Sequence, residues 1–246
     1  MLEATALEKS FGSVHAVAGV SLRIEPGARH ALIGPNGAGK TTLFDLLSGE
    51  GHADGGTIAL DGVEVTHASP DSRARAGLAR SFQRNSLFPE LTVAENLSLA
   101  CAVRRGLTRV FWRPFGAFTT LRGEAETLAE RVGLAADFDV PARALAHGAQ
   151  RQLEVALALA LQPKVLLLDE PTAGMSPAET ATMVALLGAL PEALAVVVIE
   201  HDMDVVFGLA ERITVLDRGA VLAEGSPQEV RDSEAVRQSY LGVTRP

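Results

Sequence analysis

The chain has 246 residues with 22 basic and 30 acidic side chains, a net charge of −8 at pH 7, and so lacks a whole-chain basic footprint for nucleic acid. With 47% hydrophobic and 21% charged residues it is globular rather than disordered, and at 4% aromatics its core must be built from Ala, Leu and Val. Cys101 is the single cysteine, which excludes an intramolecular disulfide framework or a cysteine-rich metal site and fits a reducing compartment.

In chain order, "GVSLRI" alternates, with Val20, Leu22 and Ile24 on one side and Ser21 and Arg23 on the other. That pattern predicts a half-buried strand, and "GGTIALDG" (55–62) repeats it, so the N-terminal part should contain an antiparallel sheet. "HALIG" (30–34), "VLLLDE" (165–170) and "AVVVIEH" (195–201) do not alternate, and each ends in polar or glycine residues. They read as central parallel strands buried on both faces, with functional groups at their C-terminal ends. Residues 89–160 are mostly helical in character. "TVAENLSLA" begins with Thr92 as N-cap and Glu95 three residues later, a capping-box pattern. "LAHGAQRQLE" (145–154) reads as a loop opening a helix, with Leu153, Ala156, Leu157, Ala160 and Leu161 at helical spacing. "DRGAVLAEG" (217–225) reads as a hairpin arm, and "SPQEV" starts a helix with Ser226 as cap, Pro227 at the first position and Glu229 completing the box. The apolar runs "VALALAL", "VLLL" and "ALAVVVI" are each far shorter than the ~20 residues of a membrane span. "MLEATALEKS" lacks a signal-peptide core, so the expectation is a soluble protein that another chain must hold at any membrane.

The chemistry concentrates in "GPNGAGKTT" (34–42), which follows a strand and opens a helix as a phosphate-binding loop must. Gly34, Gly37 and Gly39 let successive N–H groups turn inward, with Pro35, Asn36 and Ala38 completing the loop. Lys40 supplies a charge for the β- and γ-phosphates, Thr41 a hydroxyl for Mg²⁺, and Thr42 a contact to another phosphate oxygen. At the end of "VLLLDE", Asp169 would hold Mg²⁺ through water and Glu170 would deprotonate the attacking water. Alone, such an acidic pair would be read as a solvated strand end; the upstream phosphate loop reverses that preference. His201, at the end of a third central strand, becomes a candidate to hydrogen-bond the γ-phosphate and the water. Gln83, in "SFQRNSLFPELTVAENL", means nothing by spacing alone.

Together these residues resemble the ATP-binding subunits of ABC transporters over nearly the whole chain. The resemblance implies an α/β P-loop (RecA-like) core with an N-terminal antiparallel β-subdomain and an inserted α-helical subdomain. The single 1–246 cassette would divide into core and β-subdomain at about 1–88 and 161–246, and helical subdomain at about 89–160. It also implies roles for residues that spacing leaves silent. Phe11 in "KSFGSVHAV" would stack on adenine, and Gln83 would be the Q-loop glutamine acting on metal and water. Glu170 and His201 would act with it in catalysis, Ser176 would mark the D-loop, and 145–150 the signature. In this family ATP is sandwiched between two cassettes packed head to tail, so Ala146, His147, Gly148 and Gln150 would serve the partner's nucleotide. "LEVALALALQPKVLLLDEPTAGMSPAET", "IEHDMDVVFGLAERITVLDRGAVLAEGSPQEV" and "AVRQSYLG" resemble the branched-chain amino-acid uptake subgroup, in its larger ATPase type. The implied partners are a second ATPase subunit, alike or paralogous, two permease subunits and, indirectly, a solute-binding protein. The implied location is the cytoplasmic face of the inner membrane.

Three positions depart from the common pattern. The signature usually reads LSGGQ, and Ala146 removes the hydroxyl that bonds the γ-phosphate; the expectation is a weakened site that still supports hydrolysis. Ser176 stands where Asp is common, and Phe11 where Tyr is usual. The subgroup insertion, about 103–122, carries Arg104, Arg105, Arg109, Arg113 and Arg122 with Phe111, Trp112, Phe115 and Phe118. It reads either as a contact to anionic lipid or permease, or as a surface insertion packed on the helical subdomain. Two other functions compete with transport. A nucleic-acid or ribosome-directed ABC ATPase fits poorly with one compact acidic cassette, and a P-loop kinase leaves the signature and His201 unexplained.

Overall fold

The computed structural model describes residues 1–81, 87–107 and 119–239. Strands β1 (Leu2–Phe11), β2 (Val14–Ile24), β4 (Gly55–Leu60) and β5 (Val63–Glu64) form an antiparallel sheet in the order β2-β1-β4-β5. Strand β2 buries Val20, Leu22 and Ile24 and exposes Ser21 and Arg23, as its alternation predicts.

The second sheet is built around the apolar strands β3 (Arg29–Ile33), β7 (Val165–Asp169) and β8 (Ala195–Ile199). With β6 (Leu78–Arg80), β9 (Arg212–Asp217) and β10 (Ala220–Gly225) it runs in the order β10-β9-β3-β8-β7-β6, parallel except for the β9–β10 hairpin. Every residue of β7 and β8 is buried, because successive side chains enter two different cores. Leu166, Leu168, Val196 and Val198 pack on one face, with Leu97, Leu153 and Met183. Leu167, Val197 and Ile199 pack on the other, with Leu43, Phe44 and Leu47 and with Leu7, Val20 and Ile24 of the antiparallel sheet.

Helix α1 (Lys40–Ser48) follows β3, and α2 (Pro70–Ala76) precedes β6. Helices α3 (Val93–Arg104), α4 (Thr119–Arg131) and α5 (His147–Ala160) pack against one another. The capping box forms at Thr92 and Glu95. The buried face of helix α5 differs from the five-residue stripe its spacing suggests: Leu153, Ala156 and Ala160 are buried, Leu157 and Leu161 only partly, and Glu154, Val155, Ala158 and Leu159 are buried besides, because α3, α4 and α6 (Pro177–Gly188) pack around it. Helices α7 (Met203–Leu209), α8 (Pro227–Asp232) and α9 (Glu234–Ser239) complete the described chain. Helix α8 carries the capping box expected at Ser226, Pro227 and Glu229.

Of the arginines noted near 103–122, Arg104 and Arg105 both pair with Glu124, and Arg122 Nη2 donates to Asp139 Oδ1 at 2.8 Å. The two arginines and four aromatics between them lie outside the described residues. Among the described residues no helix is long and apolar enough to cross a membrane.

One buried polar pair joins the neighbouring strands β3 and β9. His30 on β3 is 1% exposed, and its Nε2 lies 2.8 Å from the buried Thr214 Oγ1 on β9. Burial lowers the His30 pKa to about 4, with Glu224 raising it and Arg212 lowering it further. The fold therefore favours neutral His30. Its contribution is complete above the unfolded-state value near 6.5 and is lost as pH falls toward 4, up to ~3 kcal/mol. Denaturant melts of wild type and His30→Gln across that window should show the wild-type advantage shrinking as pH falls; a constant gap would mean His30 does not titrate there.

Candidate functional site

The parallel register brings three strand ends together. Asp169 pairs with Ile199, and Leu32 also pairs with Ile199, so the chain leaves β3, β7 and β8 at one edge of the sheet. Beyond that edge Asn36–Thr42, Glu170 and His201 line one cavity of about 430 Å³, with Val14, His15, Ala16 and Arg218.

The phosphate loop needs its glycines for close approach. Gly39, the N-cap of α1, has φ 100°, and a Cβ there would sit 2.1 Å from the Ala16 carbonyl oxygen. Gly34 (φ 150°) would meet the Leu216 carbonyl oxygen at 2.1 Å. Lys40 is 6% exposed, and its Nζ donates to the Gly34 and Pro35 carbonyls at 2.7 and 3.0 Å. Burial lowers its pKa, while Glu170 and then Asp169 oppose the shift. Those two carboxylates therefore help to keep a buried ammonium charged beside a place where phosphate would sit.

Glu170 occupies the left-handed region at φ 48°, rare for a residue with a side chain, and its N–H donates to the Ile199 carbonyl at 2.9 Å. His201 Nε2 lies 2.8 Å from Glu170 Oε1; the carboxylate only accepts, so that nitrogen carries the proton. The predicted base and switch histidine are thus in direct contact, and with Lys40 and Thr41 they form one constellation.

Two residues without a place in the sequence reading hold it together. Glu200 is 3% exposed; its Oε1 accepts from Thr172 N–H and Oγ at 3.1 and 2.7 Å, and its Oε2 accepts from His201 N–H at 3.1 Å. It ties the loop after β7 to the histidine. A carboxylate directly behind the apolar run "AVVVI" is a readable signal, the same one that marks Asp169. Arg80 ends β6 and donates to Asp169 Oδ2 at 3.1 Å, to Asp45 Oδ1 at 2.6 Å and to Glu50 Oε2 at 3.0 Å. No local pattern marks it.

Asp169 and Thr41 offer oxygen donors at the phosphate-loop side, the chemistry of a hard cation such as Mg²⁺. Among the described residues no group of three or more His, Cys, Asp or Glu side chains could hold a metal ion. Mg²⁺ does not need such a group, since it keeps several waters and takes further ligands from a nucleotide. Gln83, the third expected contributor, lies outside the described residues. Phe11 is 60% exposed, with the Lys9 ammonium 5.5 Å from its ring centroid. It does not line the cavity itself but pairs with Val14, which does.

The signature residues lie elsewhere. Ala146 and Gly148 line a separate cavity of about 290 Å³ with Met175 and Glu179, and the two cavities have no lining residue in common. Ala146 is the N-cap of α5 and supplies no side-chain cap. Gln150 Nε2 is turned onto the Ala142 and Leu145 carbonyls, both at 3.2 Å. His147 packs beside Gly174, where an added Cβ would lie 3.5 Å from the His147 Cε1. Ser176 is the N-cap of α6, with a full capping box to Glu179.

The ABC transporter family matches residues 17–173, and the branched-chain amino acid ATP-binding cassette transporter family matches residues 220–245. The chain is 40% identical to the high-affinity branched-chain amino acid transport ATP-binding protein BraF of Pseudomonas aeruginosa, over 98% of both chains. It is 39% identical to LivG of Escherichia coli K12, named for the same transport, again over 98% of both. Among solved structures, a nucleotide-free ATP-binding cassette from an ABC transporter superposes with a TM-score of 0.86 at 27% identity, over 99% of both chains. A dimeric, post-hydrolysis cassette bound to ADP and Pi superposes with a TM-score of 0.78 at 25% identity, over 92% of this chain and 99% of that one. With that fold around a lysine-bearing phosphate loop and a Glu–His pair, the chain belongs to the ATP-binding cassettes of ABC transporters, in the branched-chain amino acid transport group, and is an ATP-hydrolysing subunit.

Proposed function

We propose that this cassette drives an importer for branched-chain amino acids or related small polar solutes. It would work at the cytoplasmic face of the membrane, on two permease subunits fed by a solute-binding protein. The relatives named for that transport support the cargo, and nucleic acid is not an expected partner. The observation that carries the mechanism is the separation of the two half-sites. The phosphate loop, Glu170 and His201 share one cavity, while Ala146 and Gly148 line another. A nucleotide held by one cassette is then completed by the signature helix of a second, packed head to tail, as a paralogue or another copy. The dimeric cassette among the similar structures agrees with such pairing.

Within the loop, backbone N–H groups from Asn36 to Thr42 and the α1 dipole hold the phosphates. Lys40 exchanges its loop carbonyls for the β- and γ-oxygens, and Thr42 takes another. Thr41, Asp169 and Gln83 would hold Mg²⁺, which when bound neutralises charge developing on the phosphates. Glu170 takes the proton of the attacking water. His201 Nε2–H, already on Glu170 Oε1, orients that carboxylate and is placed to reach the γ-phosphate. Phe11, at the hairpin tip opposite Val14, stacks on the adenine. Phosphate release then removes the charge that bridges the two cassettes, and the opening moves the permease.

Glu170→Gln should leave ATP affinity within about threefold and lower turnover by at least ~10²-fold, measured as phosphate release beside equilibrium nucleotide binding. Normal turnover in that variant would remove Glu170 as the base. The wild-type cassette should hydrolyse ATP in its assembled importer despite Ala146. Ala146→Ser should change the rate by less than about tenfold, near the lower end of a charged hydrogen bond. Activity rising from nil would show instead that the native signature is degenerate.

A further inference from the structure

Helix α5 opens without a cap of its own, since Ala146 has no side-chain oxygen to offer. The donors that an N-cap side chain could satisfy are the amide of Ala149, three residues on, and the amide of Gly148, two residues on. That amide is nevertheless satisfied, by a carboxylate from another helix: Gly148 N–H donates to Glu179 Oε1 at 3.2 Å. The other oxygen of the same carboxylate closes the α6 capping box, accepting from Ser176 N–H at 2.9 Å and Ser176 Oγ at 2.7 Å. One side chain thus serves two helix N-termini. The approach depends on glycine, because a Cβ at 148 would stand 2.7 Å from Glu179 Oε1. The Ser176 hydroxyl, the Ser176 amide and the Gly148 amide, in that order, hold the Glu179 pKa below the usual range, so the group is an anion.

We infer that Glu179 is the positioning residue of the signature half-site: it caps α5 across the gap that Ala146 leaves, and it yields the Gly148 amide when a partner's γ-phosphate arrives. This rests on the shared-site reading above. Two anions cannot share one N–H without repulsion, so nucleotide capture requires Oε1 to leave. Its other oxygen remains tied to Ser176, and the release is therefore felt in the loop before α6. The signature and the D-loop of one chain become a single unit, switched by the partner's nucleotide. Ser176, which lacks the usual aspartate, takes part in the coupling as the cap that anchors Glu179.

The test uses the full chain carrying Glu170→Gln, so that bound ATP persists, and follows ATP-driven association by sedimentation, with itself and with the cassette that co-purifies with it. Adding Glu179→Gln keeps an acceptor of the same shape but removes the competing charge. Association should tighten about threefold to tenfold while monomer nucleotide affinity stays unchanged. Glu179→Ala should lower Tm by uncapping both helices, and Ala146→Ser should recover part of that loss only in the Glu179→Ala background, which a purely local α6 cap would not produce. Equal association with and without Glu179→Gln overturns the inference and leaves the shared site standing. Bound ATP with no association of either chain removes the shared site, and the inference with it.

Discussion

Strands β7 and β8 are buried over their whole length, and that burial decides where this protein can do chemistry. Inside a strand packed on both faces a buried polar side chain needs a partner, as His30 has Thr214, so the groups that line the cavity stand past the last residue of β3, β7 and β8. The parallel register then requires the ends of β3, β7 and β8 to lie side by side. The phosphate loop, Asp169–Glu170 and Glu200–His201 meet for that reason, although they are far apart in the chain. The left-handed backbone at Glu170 is the local strain of that exit: a turn tight enough to bring the carboxylate back over the sheet edge toward the loop.

Charges gathered at such an edge must be matched. Asp169 has a side chain 1% exposed, and Arg80 beside it is 6% exposed. An isolated ion in either place would be costly. Arg80 resolves this by reaching Asp45 and Glu50 as well, which ties the end of α1 to the Asp169 carboxylate. Glu200 does the same on the other side through Thr172. The site therefore stands on two buried polar braces, one for each carboxylate-bearing strand end.

The fold is legible in the sequence wherever the determinant is local. Strand type follows from whether apolar residues alternate, and the phosphate loop from glycine spacing between strand and helix. The boxes at Thr92–Glu95 and Ser226–Glu229 come from a four-residue pattern. The same pattern stands in Ser176-Pro177-Ala178-Glu179, where reading Ser176 only as a missing aspartate hides its role as a helix cap. Arg80 is illegible for a different reason. Its partner Asp169 is 89 residues away, and nothing in "GLARSF" states which strand will lie beside β6. The width of α5's buried face is hidden likewise, since it depends on three neighbouring helices rather than on its own period.

The two half-sites also differ in kind. The phosphate-loop side has a full positive charge in Lys40 as well as the α1 N-terminus. The signature side has only the partial charge of a helix end, about half an elementary unit, and that is already met by Glu179. On the proposed shared site a nucleotide would therefore prefer the loop over the signature, and would bind one chain first and the second chain afterwards. Were the signature mouth as strong as the loop, each cassette would hold anions at both ends, and two loaded chains would repel where they must join. A neutralised, weakly attracting mouth would avoid that, so on the proposed shared site the missing hydroxyl at Ala146 and the borrowed carboxylate of Glu179 would favour an association that forms on ATP and comes apart once the γ-phosphate has gone.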